Sequence, residues 1–264
     1  RIPPIYTQPS DRPLLAPRRY YETVKISKAV ILAAGRGTRM KSLTEDCPKP
    51  MLRLHDKPVL AHLIERAEAA GVTKIMIVTG YKAEVIESYF ARHRPARAKL
   101  AYRRQPTQDG TGSAALVGRD FVGQDPFLLT FGDILVDSIS YGKVAGRLDG
   151  AEAVLALNEV DDPYRGAAVY VEGERVTEIV EKPPRGTSTT RWNNAGVYAF
   201  RPSVFEELEK ISRSPRGEYE LTDAIRRMLS REASLHWHAI GGFWRDVGRP
   251  EDLVTAEKLL SAGG

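Results

Sequence analysis

With 264 residues, 42% of them hydrophobic and 28% charged, the chain has the size and composition of one large domain or two small ones around a sizeable core. Its formal net charge of +5 is mild and suits an anionic small molecule as well as a nucleic acid. Ordinary glycine and proline usage excludes a collagen-like or low-complexity chain, and the single cysteine, Cys47, excludes an internal disulfide and a cysteine-type zinc site.

The lone cysteine favours a reducing, cytoplasmic compartment. The apolar run from Ala29 to Ala34 falls far short of the roughly 18 residues that suggest a membrane span, so no membrane partner is expected. Residues 1–27 read as an arm, flexible or packed on the body or on a partner subunit. Pro3, Pro4, Pro9, Pro13 and Pro17 prevent a helix there and break any ladder. No continuous apolar stretch marks a signal peptide in this arm, and the missing initiator Met reads as processing or truncation.

The body, 28–264, starts with an apolar run ending in a glycine turn at 28–35, the pattern of a strand buried on both faces. A helix over 58–70 carries Val59, Leu60, Leu63, Ile64 and Ala67 on one stripe, and Gly71 closes it. A second strand is predicted at 72–80, a short helix at 83–90, a third strand at 99–105, a helix at 112–119 and a fourth strand at 126–133. Strands alternating with helices predict a largely parallel sheet covered on both faces. Near residue 150 the texture changes, dividing the body into parts at 28–150 and 151–264. A strand at 152–160 precedes a hairpin turning at Glu172-Gly173-Glu174 and a strand at 193–200. Ser203 is expected to cap a helix through Ile211, and Tyr219–Arg231 reads as another. One or two strands fall in 235–248, and Pro250 opens a last helix.

Five short segments carry chemistry. In the first, Gly35-Arg36-Gly37-Thr38-Arg39 directly follows the first strand. Its glycines let backbone N–H groups approach a phosphate, and Arg39 adds a forked cation. Met40 stands where a dinucleotide fingerprint needs its third glycine, and no Gly-Lys-Ser/Thr ending makes this a P-loop. The second is Lys49, locked between Pro48 and Pro50. The third runs from Gln105 to Gly112 at the edge where ligands lie in open α/β sheets, and the Gln105 amide can read a base edge. The fourth is Gly132-Asp133, with Asp246 as a second carboxylate; Mg²⁺ prefers such oxygen ligands together with phosphates. The fifth groups Glu181-Lys182-Pro183 with Asn193-Asn194-Ala195-Gly196, fitted to sugar hydroxyls and a phosphate.

Together, from about Lys28 to Leu260, these segments resemble the sugar-1-phosphate nucleotidyltransferases, or NDP-sugar pyrophosphorylases. The loop pattern is nearest to the glucose-1-phosphate thymidylyl- and uridylyltransferases. The resemblance implies a three-layer α/β/α Rossmann-like nucleotide-diphospho-sugar transferase fold with a mixed, mostly parallel sheet. It implies the reaction of an NTP with a sugar 1-phosphate to give an NDP-sugar and pyrophosphate, with Mg²⁺. By the resemblance Ala33, Ala34, Gly35, Gly37 and Thr38 surround the nucleotide, and Gln105, Gly110 and Thr111 take the base. Arg39, Lys49 and Lys182 act on the phosphates, Gly132, Glu181 and Asn194 on the sugar, and Asp133 and Asp246 on the metal. A pyrimidine, dTTP or UTP, and a hexose 1-phosphate are expected. Guanylyl and cytidylyl transfer, an inactive regulatory subunit and a homo-oligomer stay open. No acyltransferase β-helix is expected after the last helix. The short basic cluster Tyr102-Arg103-Arg104 matches no nucleic-acid-binding module, so no nucleic acid is expected as partner.

Overall fold

The computed structural model describes residues 24–262. Residues 1–23 of the expected arm lie outside the described residues. Its last four run along the body: Ile26 is buried, and the Ser27 carbonyl accepts from the N–H groups of Thr73 and Lys74.

The elements in chain order are β1 (Lys28–Ala33), β2 (Arg53–Leu54), β3 (Lys57–Pro58), α1 (Val59–Ala69), β4 (Lys74–Thr79), α2 (Ala83–Arg92) and β5 (Lys99–Arg104). Then come α3 (Thr111–Leu116), α4 (Arg119–Val122), β6 (Phe127–Phe131), β7 (Ile134–Val136), α5 (Ser138–Gly146) and β8 (Ala153–Glu159). The last part holds β9 (Ala167–Glu172), β10 (Arg175–Glu181), β11 (Trp192–Phe200), α6 (Val204–Leu208), α7 (Leu221–Ser230), β12 (Leu235–Ala239), β13 (Trp244–Asp246) and α8 (Pro250–Ala262). Short 3₁₀ turns cover Thr38–Thr44, Lys49–Met51 and Pro163–Arg165.

Nine strands form one sheet in the order β5-β4-β1-β6-β11-β8-β12-β10-β9. The strand β1 shows why it is central. Ala29, Ile31 and Ala33 enter one hydrophobic cluster with α1, α2, α5 and α8, while Val30 enters a second cluster with α3, α4, α6 and α7. Alternate side chains feed opposite faces, so both faces need a helical cover. The structure corrects the expectation of a mostly parallel sheet. Pairs β1–β4, β1–β6, β4–β5 and β8–β12 are parallel, whereas β6–β11, β8–β11, β10–β12, β9–β10 and β9–β11 are antiparallel. A helical crossover through α5 still leads from β6 to β8, but β11 inserts between them and runs against both. Beyond residue 150 the two-residue turn Gly173-Glu174 joins β9 to β10, and so short a link can connect only antiparallel strands. The β9–β11 pair, Asn193 opposite Ala168, closes β11, β8, β12, β10 and β9 into a barrel-like ring.

Local signals explain most element ends. Gly71, at φ +93°, donates to Glu68, and Val72 donates to Ala67, the paired bonds of a Schellman stop for α1. The sequence reading missed α5 because its serines and Gly142 blur the apolar stripe. Asp137 caps it, accepting from the Ser140 N–H (2.9 Å) and hydroxyl (2.7 Å), and Tyr141 and Val144 are buried. Ser203 is not the expected side-chain cap: its hydroxyl donates to Glu152 instead. The next helix, α7, starts at Leu221 rather than Tyr219, because the Tyr219 peptide is bonded on both sides to the loop before α3. Arg103 and Arg104 are exposed on the edge strand β5, where cations discourage edge-to-edge pairing. No helix among the described residues is long and apolar enough to cross a membrane.

Candidate active site

The C-terminal ends of β1, β4, β5 and β6 share one edge of the sheet because these strands run parallel. In such sheets ligands lie beyond that edge. A cleft of about 350 Å³ opens there. Ala33, Ala34, Gly35, Gly37, Thr38 and Arg39 line it from the β1 side, and Lys49 from the proline-flanked turn. Gln105, Gly110 and Thr111 line it from β5 and α3, and Gly132 and Asp133 from the end of β6. Gln108 and Glu218 also line it, and the sequence reading gave neither of them a role.

A charged triad forms at the cleft wall: Lys49 and Asp133 line the cleft, and Asp246, which does not, reaches Lys49 from beside it. Lys49 is almost wholly buried. Its ammonium is hydrogen-bonded to Asp133 Oδ2 and lies 3.4 Å from Asp246 Oδ1. Two short strands bring these carboxylates together. Asp133 immediately precedes β7, and β13 pairs antiparallel with β7, setting Asp246 opposite Ile134. The Val247 N–H then donates to the Asp133 carbonyl at 2.9 Å. Burial, and then the charge of Asp133, push the Asp246 carboxyl above the usual carboxylate range; Lys49 and Arg39 pull it back. Two carboxylates thus face one ammonium at this point. Gly37, at φ +69°, faces Lys49: a Cβ there would lie 2.8 Å from the Lys49 Cβ. Only glycine lets the loop close on the lysine.

At Gln105 the side chain is buried and its amide nitrogen donates to Ser113 Oγ (2.8 Å) and to the Gly110 carbonyl (3.2 Å). Ser113 in turn donates to Asp109 at 2.6 Å. These bonds hold the loop from Gln105 to Gly112 and use the Gln105 amide nitrogen, not its oxygen. Close packing demands glycine at position 110. A Cβ there would meet the Tyr219 carbonyl oxygen at 2.2 Å, so it is the neighbouring chain that demands glycine.

Glu181, Lys182 and Asn194 do not line the cleft. They gather beside it where the ring closes: Glu181 pairs with Ala167, and Asn193 with Ala168. Between Asn194 and Tyr198 the strand β11 bulges, and the Trp244 indole in β13 donates to the bulged Ala195 carbonyl at 2.9 Å. Asn194 donates to the Tyr198 hydroxyl at 2.7 Å. Glu181 accepts from Arg216 (3.1 Å) and Thr222 (3.2 Å). Burial, then Glu220, raise the Glu181 carboxyl, while Arg216 and Lys182 oppose that rise. Lys182 is exposed, at φ +43°, and its N–H donates to the Gly166 carbonyl at 2.8 Å.

Arg216 joins the two groups. It contacts Glu181 and Glu220 on one side and Glu218 of the cleft wall at 3.9 Å on the other. The segment Arg213–Glu220 also straps the Gln105–Gly112 loop: Tyr219 donates to Asp109 and accepts from Gly112, each at 2.7 Å. Sequence reasoning missed Arg216. Its only trace was a dense run of charges between two predicted helices. Among the described residues no group of three or more His, Cys, Asp or Glu gathers as a metal site, so a cation here would rely on Asp133, Asp246 and ligand oxygens.

Parallel strand ends, a glycine loop and one buried ammonium between two carboxylates form a cleft suited to phosphorylated ligands. The comparisons agree, and the chain belongs to the nucleotidyl transferase family, whose profile matches residues 28–263. It is 39% identical over 233 residues to the bifunctional protein GlmU of Methanocaldococcus jannaschii, covering 88% of this chain and 54% of that one. The chain thus spans about half the length of that relative. It is 35% identical to the UTP–glucose-1-phosphate uridylyltransferase AglF of Haloferax volcanii, covering 88% of this chain and 96% of that one. Among solved structures, a UDP-glucose pyrophosphorylase complexed with UDP-glucose superposes with a TM-score of 0.81 at 26% identity, covering 91% of this chain and 100% of the other. A putative glucose-1-phosphate thymidylyltransferase from Bacillus anthracis gives 0.78 at 28% identity, covering 88% and 94%.

Proposed function

We propose that this chain joins a pyrimidine NTP, UTP or dTTP, to a hexose 1-phosphate, giving an NDP-sugar and pyrophosphate. The observation that carries this is the meeting of Lys49, Asp133 and Asp246 at the mouth of the Gly35–Arg39 loop. The names of the uridylyltransferase relative and of the UDP-glucose and thymidylyltransferase structures support the pyrimidine and the hexose.

The sugar phosphate oxygen is already ionised, so it needs no general base. A bond forms from that oxygen to the α-phosphorus, and the bond to the β-phosphate breaks, its electrons leaving with pyrophosphate. The difficulty is mutual repulsion of the two anions. Arg39 and the N–H groups of the loop receive the departing phosphates, Lys49 neutralises charge at the reacting group, and Lys182 grips the sugar phosphate. The Gln105 amide oxygen accepts from the base, and Glu181 and Asn194 hold sugar hydroxyls. Asp133 and Asp246 suit a divalent cation: both are acidic, both face one ammonium, and burial, then the charge of Asp133, raises the Asp246 carboxyl. Mg²⁺ bound by them would supply charge neutralisation between the two phosphorylated reactants.

The test is pyrophosphate release with each common NTP crossed against a panel of sugar 1-phosphates and Mg²⁺. Release with UTP or dTTP and a hexose 1-phosphate is expected. A clear preference for GTP or CTP would overturn the base assignment, and no release with any pair would overturn the reaction.

A further inference from the structure

We propose that Tyr81 is a positioning residue for the nucleotide: with Lys82 it latches the outer side of the Gly35–Asp46 loop and sets how that loop meets a triphosphate. The inference rests on the reading of this loop as the triphosphate site.

The loop has little to hold it from within. Gly35, Arg36, Thr38, Arg39, Ser42 and Leu43 are exposed, and Met40 and Thr44 are its buried anchors. Gly37 also packs on Lys49, and Tyr81 and Lys82, between β4 and α2, reach both ends of the loop from its outer side. At its start, the Tyr81 N–H donates to the Ala34 carbonyl at 3.2 Å, and the Arg36 guanidinium lies over the Tyr81 ring at 5.3 Å. At its end, the Tyr81 hydroxyl donates to the Glu45 carbonyl at 2.7 Å, and Lys82 pairs with Asp46 at 3.0 Å. Lys82 is itself 5.7 Å from the centre of the same ring.

The backbone is bent to make these contacts. Lys82 stands at φ +49°, an unfavourable conformation for a side-chain-bearing residue that persists only where its surroundings fix it. The two loop guanidiniums are also separated. Arg39 lines the cleft, while Arg36 is held on the Tyr81 ring. A cation–π contact and one hydroxyl bond are modest individually, so the latch orders the loop without locking it against pyrophosphate departure.

Ordering the loop in advance reduces what the nucleotide must supply on binding. Loss of the latch therefore acts on nucleotide affinity and spares the chemical step and the sugar end. In Tyr81→Ala the KM for the NTP should rise about tenfold, with kcat and the KM for the sugar 1-phosphate within about twofold. Tyr81→Phe keeps the ring beneath Arg36 and should raise the NTP KM only about threefold. Trypsin should cut after Arg36 and Arg39 faster in Tyr81→Ala than in the parent chain. An unchanged NTP KM in folded Tyr81→Ala, or a parallel change in kcat and both KM values, overturns the latch. Should the parent chain release no pyrophosphate with any substrate pair, the reaction fails on its own account. The proteolysis still decides the latch: faster cleavage supports it and equal cleavage overturns it.

Discussion

At the Gly35–Arg39 end of the cleft Arg39 is exposed and forms no ion pair among the described residues, whereas beside the cleft Glu181 already accepts from Arg216 and Thr222. The difference fits what each end is proposed to hold, a nucleotide at the first and a sugar at the second. A triphosphate brings its own negative charge, so a loop of free N–H groups and an unpaired guanidinium is the better receptor. A sugar is neutral apart from its phosphate, and its hydroxyls need acceptors fixed in direction. On the proposed reading, the bonds from Arg216 to Glu181 and from Asn194 to Tyr198 fix the direction of those acceptors. The backbone repeats the contrast. Parallel strand ends and a glycine loop form the first region, and a bulge and a closing antiparallel pair form the second.

The severest way to break this comparison is to remove what the two regions share. Asp133→Asn leaves both binding regions intact and takes one carboxylate from the Lys49 triad. Turnover should fall on the order of 10²–10³-fold, with KM values little changed and the circular dichroism of the folded chain retained. Near-normal turnover would place the reaction elsewhere. A lesser loss separates the ends. Lys182→Ala should lower kcat/KM for the sugar 1-phosphate about 10²-fold while the KM for the NTP stays within a few-fold, because the ammonium is proposed to act on one reactant only. Equal losses for both substrates would erase the distinction between the ends.

A smaller effect sharpens it. Arg216 helps keep Glu181 ionised against burial and Glu220. Arg216→Gln removes a cation, which favours the neutral carboxyl and raises it further. The acid limb of kcat/KM for the sugar 1-phosphate should therefore move to higher pH, with about a tenfold loss below neutrality, while the nucleotide limb stays in place. A profile lowered uniformly, with no displaced limb, would show that Arg216 does not act through Glu181.

The same contrast decides what the amino-acid sequence discloses. The nucleotide end is local: the loop at Gly35–Arg39 directly follows an apolar strand, Lys49 stands between two prolines, and Gln105 ends another strand. Each is visible in a window of a few residues. The pairing of Asp133 with Asp246 is not visible in that way. The strands that join them, Ile134–Val136 and Trp244–Asp246, are three residues each and carry no period, so only the family resemblance brought them together. Arg216 escaped altogether, because its importance depends on the loop Arg213–Glu220 folding back on Asp109 and Glu181. Of the antiparallel half only the hairpin at Glu172-Gly173-Glu174 was legible, and the pairings of β11 with β6, β8 and β9 escaped for a related reason. Alternation of strands and helices reports crossovers where helices intervene and is silent once hairpins take over.

The smallest expected effect concerns Cys47, which stands two residues before Lys49. Burial pushes its thiol up, with the nearby Lys82 charge opposing, so it is protonated at neutral pH and is not a nucleophile. Its sulfur makes one weak contact, 3.7 Å to the Pro48 carbonyl, which a serine hydroxyl can replace. Cys47→Ser should leave kcat and both KM values within about twofold, because the prolines and Gly37 hold the lysine turn and the sulfur does not. A folded Cys47→Ser chain with a loss above about tenfold would instead mean that packing beneath Lys49, and not only charge around it, prepares the nucleotide end. Measuring the NTP KM and the sugar 1-phosphate KM separately in that variant tells which region the packing serves.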